Sequence, residues 1–124
     1  MLSIVRSVRD KRGIHVSSSV NLFLCDGNDL VATRFTFDFG CYPENVNQAN
    51  LSYLSLWYTF GRDYGLHDGE WKMRGGLDDQ DSVIIASEPL TRDPSTWIEV
   101  PEYSMIYVAQ EDGEWRVETR PLDV

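Results

Sequence analysis

Cysteine, histidine and cationic side chains are all scarce in this 124-residue chain, and each scarcity closes off a class of function. Eleven Lys and Arg stand against twenty Asp and Glu, a formal charge of −9. Such a surface offers no net basic face to a phosphate backbone, so no nucleic-acid partner is expected. The acidity reads as a means of keeping the chain soluble. No apolar run approaches the roughly 20 residues of a membrane-spanning helix, so no membrane partner is expected either. Met1 to Arg12 mixes charges with aliphatics and has no apolar h-region of a secretory signal, which points to a cytoplasmic location. The two cysteines, Cys25 and Cys41, read as buried free thiols, because a disulfide suits an exported chain. With only the scattered His15 and His67 to join them, they make no metal-ligand set, and no cofactor is expected. The Asn50-Leu51-Ser52 glycosylation sequon carries little weight in such a chain.

What the sequence does have is core material. It is 42% apolar and 12% aromatic, with four Trp, six Tyr and five Phe, enough for one packed domain and too much for a disordered segment. Leu2, Ile4, Val5 and Val8 recur near helical spacing, Lys11 and Arg12 occupy the last turn, and Gly13 stops it, so 1–13 is expected to be a short helix. From residue 20 to 119 the pattern is β. Asn21 to Cys25 and Leu30 to Phe37 flank Asp26-Gly27-Asn28-Asp29, a strong hairpin signal. Val31, Thr33, Phe35 and Phe37 fall on one side of the second strand. Asp38 to Asn50 reads as an exposed loop, Ser52 to Phe60 as a strand apolar on both faces, Gly61 to Gly69 as another loop, and Glu70 to Arg74 as a short extended piece.

Val83-Ile84-Ile85-Ala86 has no polar break and is expected to be a central, doubly covered strand, ended by Pro89. Trp97 to Val100 is short and extended, and Met105 to Gln110 with Glu114 to Thr119 forms a second hairpin around Glu111-Asp112-Gly113. Asp68-Gly69-Glu70-Trp71 echoes Asp112-Gly113-Glu114-Trp115 without making a repeat; the same turn chemistry is used twice. About seven extended segments and one helix give an α+β, β-rich fold, with two stacked layers as the natural way to cover the apolar strands.

Residue by residue, no reactive constellation emerges. A Ser or Cys nucleophile needs a base within hydrogen-bond reach, and both histidines read as ordinary surface residues. Ser87 lacks the flanking glycines of a nucleophile elbow, and Ser87-Glu88-Pro89 reads as a strand exit whose side chains bond loop amides. Asp78, Asp79 and Asp81 lack the ligand spacing of an EF-hand loop, Gly75-Gly76 lacks the rest of a phosphate loop, and Tyr53, Trp57 and Tyr58 read as core.

Three stretches in series carry a resemblance. Asn21-Leu22-Phe23-Leu24-Cys25-Asp26-Gly27 with Leu30-Val31-Ala32-Thr33-Arg34-Phe35, then Ser55-Leu56-Trp57-Tyr58, then Val83 to Thr91 with Trp97-Ile98-Glu99-Val100-Pro101, resemble in order and spacing the class II glutamine amidotransferase-like proteins. The nearest branch holds the ergothioneine-pathway amidohydrolase and the fungal glutathione-degrading amidotransferase subunit. The resemblance runs from about residue 14 to residue 110, the C-terminal half of that domain. It implies a partial domain spanning 1–124, part of a four-layer αββα N-terminal-nucleophile hydrolase fold. It also implies chemistry in which an N-terminal cysteine's own α-amine activates its thiol against a glutamine or γ-glutamyl amide. Here residue 2 is Leu, and Cys25 and Cys41 are internal. The family's substrate-clamping Arg, Asn-Gly oxyanion element and amine-binding Asp belong to the N-terminal half, with which nothing aligns, so no catalytic residue is assigned. The partner this implies is an N-terminal half chain, or a second copy joined through exposed sheet; the rival expectation is a stand-alone binding or assembly module. An unrelated sandwich would be indicated if the Asp26-Gly27 hairpin and the Ser82 to Ala86 strand shared no core.

Overall fold

The computed structural model describes residues 1–41, 54–75 and 81–124. Strands take 50% and helices 12% of these residues, and every strand pairing is antiparallel. Helix α1 (Leu2–Lys11) leads into β1 (Ser18–Cys25) and β2 (Leu30–Phe37); β3 (Trp57–Gly61), β4 (Asp63–His67), β5 (Glu70–Arg74), β6 (Ser82–Ala86) and the two-residue β7 (Ile98–Glu99) follow. The chain closes with β8 (Ser104–Glu111) and β9 (Glu114–Pro121). They form a four-stranded sheet in the order β1-β2-β8-β9, a three-stranded sheet β6-β3-β7, and the separate pair β4-β5.

Strand alternation explains the layering, because successive side chains of a strand point to opposite faces. On β2, Leu30 and Ala32 point one way, and with Ile106 and Val108 of β8 and Trp115 and Val117 of β9 they meet Leu56, Tyr58, Val83, Ile85 and Val100. This is the inter-sheet core; Leu56, Val100, Ala32 and Ile106 are fully buried in it. Phe35 and Phe37 point the other way, and pack with Leu2 of α1, Val20 and Leu22 of β1, and Leu122 and Val124. The order across the molecule is therefore helix, sheet, sheet. The Asp26-Gly27 hairpin and the Ser82 to Ala86 strand share one core through Leu30, Ala32, Val83 and Ile85.

The two hairpins expected at Asp26-Gly27 and Asp112-Gly113 both form. The Asp26 carboxylate accepts the N–H groups of Asn28 and Asp29 at 2.9 and 2.8 Å, and Gly27 supplies a φ of +102°. Those two donors hold the Asp26 carboxyl below its ordinary range. At the other end Asp112 (φ +53°) and Gly113 (φ +87°) make the two-residue turn with both residues left-handed that best matches strand twist. Helix α1 stops as expected. Gly13, at φ +65°, and Ile14 donate to the carbonyls of Asp10 and Arg9, the paired closure that satisfies a helix end.

The aliphatic spacing that marks α1 as a helix is not a buried face: Leu2 is buried, but Ile4, Val5 and Val8 are exposed. The inner face belongs to Arg6 and Arg9, whose guanidinium groups lie 5.7 and 5.0 Å from the ring centres of Phe35 and Phe37. Their stems cover the aromatics, and their charges add cation–π attraction. The run expected as a loop at 61–69 contains β4, which Asp68-Gly69 folds back onto β5 with His67 opposite Glu70. Strand β6 is not central: it is the edge of its sheet among the described strands, and all five residues are half-buried. An apolar run reports how much covering the strand wants, and says nothing of whether the neighbours are there. Of the strand expected from Ser52 to Phe60, residues 57–61 are strand, in the centre of the three-stranded sheet. The 42–53 part of the expected loop and strand, with the sequon and Tyr53, lies outside the described residues, as do Gly76, Asp78 and Asp79.

Candidate functional site

Polar side chains facing an inter-sheet core need partners, since an unpaired buried polar group costs roughly 1–3 kcal/mol. The half-buried Asn21, Arg34 and Ser55 meet that requirement by bonding to neighbouring segments, and the exposed Ser87 joins them at the rim. Asn21, on the inner side of β1, donates from Nδ2 to the carbonyl of Ser55 at 2.8 Å and to Ser87 Oγ at 3.2 Å. Ser55 Oγ in turn donates to the Ser87 carbonyl at 2.7 Å. One residue from each of the three resembling stretches thus enters a single polar seam between the sheets. Asn21 Oδ1 is buried there and takes no donor among the described residues.

Arg34 builds the second node of the seam. It shares the inward face of β2 with Leu30 and Ala32, so its guanidinium points into the space between sheets. There Nε donates to the Leu54 carbonyl at 3.0 Å, and one terminal nitrogen donates to the carbonyl of Val100 and to Glu99 Oε1. Glu102 lies 3.6 Å from the other terminal nitrogen. A guanidinium has donors in a fixed fork and no acceptor, so it locks the chain segments at 54 and at 99–102 together. The sequence reading missed this residue as a tie. The signal was available: one Arg at the parity of two core positions must either find acceptors or leave the strand.

The residues weighed as reactive groups lie apart. Cys25 and Cys41, expected to be buried, are both exposed. Cys25 ends an edge strand, and its sulfur accepts the N–H of Gly27 at 3.4 Å, on its own turn. Cys41 follows the Asp38 turn, where its carbonyl accepts from Ser17 N–H. Among the described residues, edge and turn positions leave both thiols exposed. His15 is exposed, as expected, but His67 is not a surface loop residue. It sits in β4 with its side chain only 11% exposed, and Nε2 lies 3.2 Å from Asp63 Oδ2 in poor hydrogen-bond alignment. Ser87 does end a strand, but its hydroxyl meets the Asn21 amide and not loop amides. Asp81 pairs with Arg62 at 3.4 Å, both well exposed. Trp57 and Tyr58 are half-buried, as core-edge residues are, and burial raises the Tyr58 pKa.

The described arrangement can fasten two sheets together and hold them in register. It brings no thiol to a base. No helix among the described residues is long and apolar enough to cross a membrane. The chain matches no protein-family model, no curated protein and no solved structure with which it was compared.

Proposed function

We propose that this chain is glutamine amidotransferase type 2-like: the sheet-completing, non-catalytic portion of an amidohydrolase acting on glutamine or γ-glutamyl amides. The observation that carries the reading is the seam. Asn21, Ser55 and Ser87 come from the three stretches on which the resemblance rests; Asn21 bonds across the sheet interface to the other two, which bond to each other beside the β3–β6 pair. Chance matches to short strands would have no reason to converge. The helix–sheet–sheet order supports the reading as well, since it is compatible with three layers of an αββα N-terminal-nucleophile hydrolase. The outer edge of β6, a largely apolar five-residue strand with no second neighbour among the described strands, is where further sheet would add, from an N-terminal half chain or a second copy. The same edge favours the alternative, a stand-alone binding or assembly module, because strand addition requires no chemistry.

The test is release of ammonia from glutamine, or of amine from a γ-glutamyl amide. The purified 124-residue chain is assayed alone and co-expressed with the cysteine-bearing N-terminal half of a family member. The expected outcome is no release by the chain alone, and a stable complex with measurable release when the half is supplied. Turnover by the chain alone would refute the non-catalytic assignment. Failure to form any complex would leave the binding module.

A further inference from the structure

The tip of the β4–β5 hairpin faces the loop that follows β6 across a groove of about 320 Å³, with Gly69, Glu70 and Trp71 on one side and Leu90, Thr91 and Arg92 on the other. Tyr64, Leu66, Trp71 and Met73 share one face of the hairpin, with Leu66 directly opposite Trp71. Met73 roots that face in the body, whereas Leu66 is 61% and Trp71 57% exposed. The Tyr64 and Trp71 ring centres lie 5.9 Å apart, and the Tyr64 hydroxyl reaches across to the Leu90 carbonyl at 3.2 Å. Leu90 is itself 53% exposed. Large apolar side chains grouped and left this open mark an interaction surface.

Hydrogen bonding decides what such a surface accepts. On the loop side, the Leu90 carbonyl is taken by Tyr64, and Thr91 Oγ1 accepts the Trp97 indole N–H at 3.0 Å. Glu70 lies opposite His67, and strand alternation turns its carboxylate to the other face of the hairpin, with Lys72. The groups left over are donors. Neither the Trp71 indole N–H nor the Arg92 guanidinium holds a hydrogen bond or ion pair among the described residues. Walls more than half exposed do not enclose a small molecule, whose sites bury roughly 70–90% of the ligand; they suit a chain lying across them. An ordinary extended peptide brings amide N–H groups that need acceptors. Proline brings none, holds the extended polyproline conformation in advance, and leaves its carbonyls free to accept.

We propose that this groove binds a proline-rich segment of a partner protein that carries one acidic residue. The prolines pack on Leu66, Trp71 and Leu90, as such segments do in aromatic-lined grooves, and a peptide carbonyl accepts the Trp71 indole N–H. The carboxylate pairs with Arg92. A strongly acidic segment is disfavoured, because the chain's own charge of −9 repels it. The groove stands apart from the Asn21–Ser55–Ser87 seam and from the edge of β6, so the inference does not depend on the family reading.

Three end-blocked heptapeptides test it on the full, ¹⁵N-labelled chain, titrated by amide and indole chemical shift. The first is proline throughout with a central glutamate, the second has glutamine at the centre, and the third keeps the glutamate but has alanine for every proline. The expected result is saturable shifts at Leu66, Trp71, Leu90 and Arg92 with the first peptide. Binding should be about threefold weaker with the second, which lacks the exposed ion pair, and about tenfold or more weaker with the third. Arg92→Gln is expected to bring the first two peptides to the same affinity, and Trp71→Ala to abolish the shifts. Because the peptide comparison uses the unaltered chain, poor folding of a variant does not spoil it. Equal binding of the proline and alanine peptides would overturn the proposal, as would shifts confined to residues outside the groove, or none with any peptide. Shifts at Trp71 that grow with protein concentration alone would assign the patch to a second copy and overturn it too.

Discussion

The β4–β5 and β8–β9 hairpins are written with nearly the same residues, Asp68-Gly69-Glu70-Trp71 and Asp112-Gly113-Glu114-Trp115, and they bend alike. Asp68 and Gly69 sit at φ +54° and +83°, Asp112 and Gly113 at +53° and +87°. Their surroundings differ. Strand β8 pairs on both sides, with β2 and β9, and carries Ile106 and Val108 into the core, so Trp115 lands against that core. Among the described strands β4 and β5 pair only with each other; Trp71 is 57% exposed and lies opposite Leu66, itself 61% exposed. Buried Met73, the bond from Arg62 N–H to the Arg74 carbonyl and the Tyr64 hydroxyl, which donates to the Leu90 carbonyl at 3.2 Å, help to moor that hairpin to the body. Turn chemistry is a local property, fixed by which residues tolerate a left-handed backbone. Burial of the tryptophan that follows is decided by whatever sheet the hairpin joins.

If that contrast is right, the tryptophans separate most widely. Trp115→Ala should cost about 2–4 kcal/mol in urea unfolding, from lost transfer energy and the space left against Val108 and Val117. Trp71→Ala should cost no more than about 0.5 kcal/mol. Equal costs would mean that the β4–β5 pair is packed more tightly than its exposure indicates. The turn glycines come next. A Cβ on Gly69 or Gly113 meets nothing, so alanine there is penalised only for its positive φ, by about 1 kcal/mol. The strain should be felt in different places. Gly113→Ala should lower global stability, whereas Gly69→Ala should speed amide hydrogen exchange in β4 and β5 and leave the four-stranded sheet unchanged, because a two-stranded pair opens locally.

The smallest effect is one of pH. Lys72 Nζ donates to Asp68 Oδ2 at 3.1 Å and lowers that carboxyl pKa, while Asp26 is lowered by its two turn amides. A group whose folded pKa is depressed contributes stability that is present above its unfolded pKa, near 3.8 here, and is lost as pH falls through the folded value. Protection in β4–β5, measured against the intrinsic exchange rate at each pH, should therefore fall below about pH 4 in the parent chain, and Lys72→Met should remove part of that dependence.

Much of this architecture was legible. Asp-Gly between apolar runs located two hairpins, Gly13 located the helix stop, and the composition indicated a β-rich body. The rest depended on neighbours that one sequence does not reveal. Asp63 to His67 carries only Tyr64 and Leu66 as a strand signal, too little to outweigh Gly65 and the polar residues around it. Val83 to Ala86 is apolar enough for the middle of a sheet, yet among the described strands it finds a partner on one side only. The stripe of Ile4, Val5 and Val8 has the spacing of a buried face, but Arg6 and Arg9 cover Phe35 and Phe37 better. The seam was hidden for a different reason. Asn21, Ser55 and Ser87 are 32 to 66 positions apart, and nothing but the fold shows that they touch.

The seam is also where the account is most directly measured, by a double-mutant cycle on Asn21→Ala and Ser87→Ala in equilibrium unfolding. If the resembling stretches are fastened to one another, the two changes should be coupled by about 1 kcal/mol. Additivity within about 0.3 kcal/mol would contradict it, and with it the observation on which the amidotransferase-like reading rests.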